Sequence, residues 1–172
     1  MPNPKELDPR VIACRFAVLC FAAIQSSVIT LTNTLFDVAA SPACAASLGC
    51  MREEAAAAAA IPASWSKTAL VRLRHIDSAL RESLRLNGFI ERGIMKMVVA
   101  PGGVTLPDGS HLPRGTKVGV SGYSVHHDDD RYPDAARYDA FRFARPTDDG
   151  KPCSLVSTSE HFMGFSHGSH AW

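Results

Sequence analysis

A glutamate and an arginine three residues apart, Glu82 and Arg85, have the spacing of a charged pair on one face of a helix. Their carboxylate and guanidinium groups can bond to each other there. Taken by itself, this E-x-x-R pattern predicts an exposed ion pair that stabilises the fold little. Further along the chain, Arg142 lies between two phenylalanines, and Phe165 and Gly168 form the pattern F-x-x-G.

Polar side chains also interrupt the most apolar part of the sequence, at Gln25, Ser26 and Ser27. An amide and two hydroxyl groups within an apolar segment need hydrogen-bond partners if the segment is buried. By themselves these residues predict a buried helix whose polar groups are satisfied.

Histidines are concentrated near residues 161–170, where His167 and His170 have the spacing H-x-x-H and His161 precedes them. His126 and His127 form an earlier pair. Imidazole binds zinc, and a closed zinc site has four ligands at defined spacing. A small histidine-rich metal-binding protein is therefore one alternative that the sequence leaves open.

The order of these patterns resembles the C-terminal part of a cytochrome P-450, particularly the fungal microsomal-type members. In that family an E-x-x-R helix is followed by β hairpins, an arginine and a haem loop F-x-x-G-x-x-x-C, whose cysteine thiolate binds the iron. The resemblance implies that Glu82, Arg85 and Arg142 form the buried Glu-Arg-Arg network of the family. One carboxylate held by two planar guanidinium groups can lock the helix to the loop that supports the haem, and this fixes geometry more than it adds stability.

The same resemblance implies candidate catalytic and haem-binding residues. Ser26 and Gln25 match the alcohol and acid positions of the distal helix, where such a pair relays protons to bound oxygen, although a glutamine cannot titrate. Arg92 and His170 match positions that donate to the haem propionates. The candidate cofactor-binding residues at the start of the haem loop are Phe165 and Gly168.

The cysteine position of the haem-loop pattern is occupied by Trp172. An indole N–H is only a donor and offers no lone pair to iron. Without a thiolate, the electron donation that favours O–O cleavage is lost. We therefore expect no metal ligand at this position and an inactive chain, and a non-catalytic truncated product is a second alternative.

For a whole family member the resemblance implies insertion of oxygen into an apolar organic substrate, with electrons from an NADPH-dependent reductase. Haem is the expected cofactor, and no metal besides the haem iron is expected. The resemblance covers nearly all 172 residues but only about the later third of such a member. We therefore expect a partial cytochrome P-450 domain over residues 1–172, without the anchor that holds full-length relatives at the endoplasmic reticulum membrane.

Length and composition exclude several classes of protein. The chain has 172 residues, 46% of them apolar, and a formal net charge of +1. This balance predicts no nucleic-acid or anionic-membrane partner, and the apolar fraction is too high for a disordered chain. Five cysteines without a C-x-x-C pattern predict no disulfide framework. The apolar stretch at 16–24 has about half the length that a bilayer requires, so we predict a buried helix there.

The hydrophobic patterns predict a mainly α fold with small β hairpins, which corresponds to a partial cytochrome P-450 fold. Residues 9–60 are predicted as helices of the distal-helix region, interrupted near Ser41-Pro42. The alanine run at 55–60 has high helix propensity and is interpreted as a solvated helix or spacer. Residues 66–86 form the predicted E-x-x-R helix, with an apolar stripe opposite the charged pair.

The second half of the chain has a different pattern. Residues 92–122 are predicted as β hairpins, in which an Asp-Gly turn at 106–112 joins the extended segments 104–106 and 117–120. Residues 123–172 are predicted as a long loop followed by the start of the haem loop. Such a long irregular stretch needs a surface on which to pack.

Overall fold

The computed structural model describes residues 7–61, 66–88, 95–145 and 154–168, and helices dominate these parts of the chain. Small antiparallel strand pairs form the remaining regular structure, which confirms the predicted mainly α fold with small β hairpins. The helices are α1 (Pro9–Cys20), α2 (Ser26–Ala40), α3 (Cys44–Ala59), α4 (Lys67–Leu70), α5 (Arg74–Leu86) and α6 (Gly122–His126), with a π-helical turn (Phe21–Gln25) between α1 and α2. The strands are β1 (Lys96–Met97), β2 (Val104–Thr105), β3 (His111–Leu112) and β4 (Lys117–Val118).

α1, the π turn and α2 form one continuous helical segment. It begins at Pro9, which is suited to the first helical position, and the Asp8 side chain accepts a hydrogen bond of 2.8 Å from the N–H of Arg10. It ends before Ser41, whose backbone is extended, and Pro42 follows. Proline cannot continue a helix, so the sequence sets both ends of this segment.

The side chains of α1 are exposed, which corrects the prediction of a buried helix at 16–24. Phe16 and Leu19 are 66% and 67% exposed, and no residue of α1 is buried. Among the described elements, α3 and α5 pack against α2, whereas α1 contacts only the adjoining π turn. The whole helix from Pro9 to Ala40 is long and apolar enough to cross a membrane, unlike the stretch at 16–24 alone.

The single helix predicted at 66–86 is two helices in the structure. Ser66 caps α4, because its hydroxyl accepts a hydrogen bond of 3.3 Å from the N–H of Ala69. The backbone then leaves the helical conformation at Leu73, where ψ is +58°, and α5 begins at the next residue. The apolar periodicity continues through this break, so the sequence pattern could not reveal that the helix is interrupted.

The alanine run of α3 is largely exposed, as predicted for a solvated helix, but α3 also packs against α5. Ala58 is buried, and both carboxylate oxygens of Glu54 accept hydrogen bonds from the first turn of α5. The N–H of His75 donates at 2.9 and 3.0 Å, and that of Ile76 donates at 3.0 Å. N–H groups at the start of a helix have no partner within it. α3 therefore supplies the cap that the Leu73 side chain cannot provide.

The strands pair differently from the prediction. β2 pairs with β3, whereas β4, at 117–118, pairs with β1. The Asp-Gly turn lies between β2 and β3: Gly109 has φ +86°, and the Asp108 carboxylate accepts a hydrogen bond of 2.9 Å from the N–H of Ser110. A strand pattern does not name its partner, and two residues at β3 are too few to show a pattern, so the prediction joined the wrong segments.

The chain after β4 forms the short helix α6 and then a series of turns that pack against α5. The core surrounds α5, where Leu84 and Phe162 are each 1% exposed. The predicted loop at 123–172 thus contains one short helix that its polar sequence did not indicate. Within the described residues, α5 is the element on which this long irregular segment depends.

Candidate functional site

The carboxylate of Glu82 lies at the centre of a buried charged cluster on α5. Arg85 donates to it twice, from Nε to Oε2 and from Nη2 to Oε1, with both distances 2.8 Å. Both side chains are 0% exposed, so the expectation of an exposed ion pair is wrong. The two parallel N–H groups match the two carboxylate oxygens, which is the specific geometry of an arginine–carboxylate pair.

Arg142 brings the loop after α6 to the same carboxylate. Its Nε donates to Glu82 Oε1 at 3.0 Å, and the backbone N–H of Asp139 donates to the same oxygen at 3.2 Å. Its Nη1 donates to the carbonyl of Pro133 at 2.8 Å, which fixes the guanidinium in the loop. The structure therefore brings Glu82, Arg85 and Arg142 together.

The cluster holds two guanidinium groups against one carboxylate, and the excess positive charge has backbone partners. Arg85 Nη1 donates to the carbonyl of His126, and Nη2 donates to that of Arg137 at 3.5 Å. The Arg85 guanidinium also lies 5.0 Å from the ring centre of Tyr132. Because these groups replace water, the buried charges are not left unsatisfied.

The same helix holds two further loop segments by their backbones. Ser78 Oγ accepts hydrogen bonds from the N–H groups of Phe143 at 3.0 Å and Ala144 at 3.1 Å. Asp77 accepts a hydrogen bond of 2.7 Å from the N–H of Leu155. Burial raises the pKa of Asp77 above its ordinary value, against the opposing effect of this hydrogen bond.

Arg81 completes this row of α5 side chains. Its Nη1 donates to the carbonyl of Ser157 at 2.7 Å and to that of Ser154. Its guanidinium lies 3.6 Å from the ring centre of Phe162 and 4.7 Å from that of Phe143. The sequence analysis missed Ser78, Asp77 and Arg81, because polar residues opposite an apolar stripe ordinarily face solvent.

His126 is a buried part of this cluster that the sequence analysis considered only as a possible metal ligand. It is 4% exposed, and its Nε2 accepts a hydrogen bond of 2.9 Å from the N–H of Met163. Burial, with a smaller effect of the nearby Arg85 charge, lowers the pKa of His126 from 6.5 to about 4. The imidazole is therefore neutral at physiological pH. The one available signal was its position four residues after Gly122, on the buried face of α6.

The candidate distal-helix residues occupy different positions. The π turn at 21–25 ends next to Ser26, whose Oγ donates to the carbonyl of Ala22, and Ser27 Oγ donates to that of Ala23 at 2.7 Å. Ser26 lines an apolar cavity of about 360 Å³. Gln25 is exposed and does not line this cavity. Single π turns within α-helices occur frequently at functional sites.

Phe165 lines the same cavity, with Leu80, Leu155 and Val156 contributing apolar walls. Gly168 is exposed, and its φ of +92° is a conformation that favours glycine. Arg92, His170 and Trp172 lie outside the described residues. The structure therefore places Ser26 and Phe165 in the lining of one apolar cavity, which does not include Gly168.

The residues present fit a haem only in part. The apolar cavity walls suit a flat apolar ring, and hydroxyl groups of the long helix form part of the lining. The described lining offers apolar side chains and hydroxyl groups but no thiolate for an iron. The lining residues of this cavity include no cysteine. Among the described residues, the lining of this cavity thus supplies no thiolate ligand for a haem iron.

A histidine metal site has no support within residues 7–61, 66–88, 95–145 and 154–168. No three side chains of His, Cys, Asp or Glu there converge in a way that could hold a metal ion. His161 Nδ1 instead lies 3.0 Å from Arg131 Nη1, and His126 Nε2 is occupied by the N–H of Met163.

Comparison with known proteins gives one consistent result. The family model described as cytochrome P-450 matches residues 1–171. The chain is 37% identical to cytochrome P-450 monooxygenase lnaC of Aspergillus flavus over 98% of this chain and 33% of that protein. It is 32% identical to htyF of Aspergillus rugulosus over 96% of this chain and 26% of that protein, and 33% identical to polB of Polytolypa hystricis over 91% and 32%. The chain thus spans a quarter to a third of the length of these monooxygenases.

Proposed function

Because the chain belongs to the cytochrome P-450 family, we propose that it keeps the haem-supporting scaffold of a monooxygenase without the ability to insert oxygen. The observation that supports the scaffold is the Glu82 carboxylate, which accepts hydrogen bonds from both Arg85 and Arg142. This cluster joins α5 to the loop after α6 at a buried point. It therefore fixes the apolar cavity wall that α5 provides through Leu80.

The inability to insert oxygen follows from the residue type at the ligand position. A cysteine thiolate donates electron density to iron and so favours O–O cleavage. Trp172 has only an N–H donor at that position. Gln25 adds a second reason, since it is exposed and an amide cannot exchange protons as a carboxylic acid does.

In a full-length relative we propose the complete reaction of the family, in which bound haem supplies the oxygen chemistry and an NADPH-dependent reductase supplies electrons. The apolar cavity beside Ser26 and Phe165 supports an apolar substrate class. We place such relatives at the endoplasmic reticulum membrane. The apolar helix of this chain is compatible with membrane contact, but α2 packs on α5 and carries Ser26, so we assign the helix to the distal side of the cavity.

The test compares the carbon monoxide spectra of three forms of the 172-residue protein after addition of haem and reduction. We expect no thiolate–carbonyl absorption band in the wild type or in Trp172→Phe, and we expect the band in Trp172→Cys. Trp172→Phe is the matched control, because it removes the indole without adding a thiolate. A thiolate–carbonyl band in the wild type would overturn the proposed inactivity.

Haem binding is followed separately by tryptophan fluorescence. The chain has two tryptophans, so Trp65→Phe leaves Trp172 as the only one. If residue 172 is at the iron position, we expect haem bound at the proposed cavity to quench this fluorescence. No quenching, or identical carbonyl spectra for Trp172→Cys and Trp172→Phe, would overturn the assignment of residue 172 to the iron position.

A further inference from the structure

His126 connects the buried charged cluster to the segment that carries Phe165. Its carbonyl oxygen accepts a hydrogen bond from Arg85 Nη1, and its ring Nε2 accepts one from the N–H of Met163. His126 is thus hydrogen-bonded to α5 through its backbone and to the segment that carries Phe165 through its side chain. In the described parts of the chain, no other side chain accepts a hydrogen bond from the N–H of Met163.

Met163 is the first residue of the turn that presents Phe165. The N–H of Ser166 donates to the carbonyl of Met163 at 2.9 Å, and a bridge links Gly164 to Ser166. Gly164 packs so closely on Leu84 of α5 that an added Cβ would lie 2.8 Å from Leu84 Cδ2. The position of the Met163 N–H therefore sets how this turn faces the cavity.

Packing around His126 keeps water from replacing its hydrogen bond. The imidazole stacks on the ring of Phe162 with ring centres 5.2 Å apart, and Phe162 is 1% exposed. The Phe162 ring also contacts the Arg81 guanidinium, at 3.6 Å from the ring centre. Met163 itself is 8% exposed. A lost acceptor at this place would leave a buried N–H without a partner, which costs more than the loss of an exposed hydrogen bond.

We propose that His126 is a positioning residue whose unprotonated Nε2 holds the Met163 N–H and so orients the turn at 163–166 toward the haem-side cavity. The proposal rests on the proposed function for the identity of that cavity. The imidazole acts through Met163 and touches no reacting group. Its essential property is an acceptor at the place of Nε2, and stacking on Phe162 alone is not sufficient.

Two substitutions separate acceptor from stacking. His126→Gln can place an amide oxygen near the position of Nε2, whereas His126→Phe keeps an aromatic ring against Phe162 and has no acceptor. We expect amide hydrogen exchange at Met163 to accelerate by about tenfold in His126→Phe, the size expected for one lost hydrogen bond. We expect His126→Gln to restore most of the protection. The N–H of Leu155, held by Asp77, is the internal control and stays unchanged in both variants.

A measurement on the wild-type protein keeps the proposal testable if His126→Phe does not fold. Nitrogen NMR should show a scalar coupling across the hydrogen bond between the Met163 amide and His126 Nε2. The proposal would be overturned if this coupling were absent or if Met163 amide exchange were unchanged in His126→Phe. It would also be overturned if Met163 amide exchange were accelerated as much in His126→Gln as in His126→Phe. None of these measurements needs haem, so their failure is distinct from failure of the proposed function, which the carbonyl spectra and tryptophan quenching decide.

Discussion

Replacing Glu82 by glutamine tests the buried cluster most directly. The Glu82 carboxylate accepts hydrogen bonds from Arg85 Nε and Nη2, from Arg142 Nε and from the N–H of Asp139. Glutamine keeps the shape but removes the negative charge between two guanidinium groups, and it turns an N–H donor toward one of them. Removing one partner of a buried ion pair costs about 3–5 kcal/mol, because the remaining charge is left uncompensated.

This loss is large compared with the total stability of a domain, which is about 5–15 kcal/mol. We therefore expect Glu82→Gln to lower the free energy of unfolding by about 3–5 kcal/mol and Tm by roughly 10 °C. Urea unfolding followed by circular dichroism, with calorimetry as a second probe, measures both quantities. The matched control is Glu160→Gln: the Glu160 side chain is 78% exposed, so the expected loss is below about 0.5 kcal/mol.

A double-mutant cycle with Arg142→Met shows whether the cluster acts as a unit. With one guanidinium already removed, loss of the carboxylate leaves less uncompensated charge, so Glu82→Gln should cost at least about 1 kcal/mol less in the Arg142→Met background. Additive effects would contradict a shared carboxylate. The reasoning on the single variant would be refuted if the free energy of unfolding of Glu82→Gln lay within about 1 kcal/mol of the wild-type value.

Three further predictions concern separate features. First, His126 has a pKa of about 4 when folded and 6.5 as its ordinary value, so protonation favours the unfolded chain. The free energy of unfolding of the wild type, relative to that of His126→Gln, should be constant above about pH 6.5 and fall by about 3 kcal/mol as the pH is lowered to 4; a flat difference in a urea-unfolding pH series would contradict this. Second, Glu54→Ala removes the cap of α5 and should cost about 1–2 kcal/mol in urea unfolding, whereas Glu53→Ala, exposed on the same helix, should cost almost nothing; equal losses would exclude the cap. Third, Gly164→Ala places a Cβ 2.8 Å from Leu84 Cδ2 and should destabilise by about 1–3 kcal/mol in thermal unfolding, while Gly102→Ala, with open space around it, should not; an unchanged Tm for Gly164→Ala would show that Leu84 can move aside.

The fold could be predicted where local chemistry determines it. Pro9, Pro42 and the Asp108-Gly109 turn act through their own backbone preferences, and they mark the ends of the first helix and the tip of a hairpin. Strand partners could not be predicted in this way. β4 pairs with β1 rather than with β2, because the pairing depends on where the intervening hairpin folds.

Burial of the polar face of α5 could not be read from the sequence either. Its apolar stripe predicts one inward face, and Leu84 is indeed buried, but Glu82 and Arg85 on another face are buried as well. Which loops cover that face depends on residues more than 40 positions away, such as His126 and Arg142. The resemblance to a family predicted that the three charged residues form one buried network, whereas the helical pattern alone predicted an exposed ion pair. The same periodicity did not reveal that α1 lacks a covering partner among the described elements.

The way α5 holds its surrounding loops has a consequence for how related sequences can diverge. Ser78, Asp77 and Arg81 bond to main-chain N–H and carbonyl groups, which every amino acid other than proline supplies in the same form. The loop residues at 143–144 and 154–157 can therefore change identity while the loops keep their path. We therefore expect substitutions in α5 to be tolerated less well than substitutions in the loops that it holds.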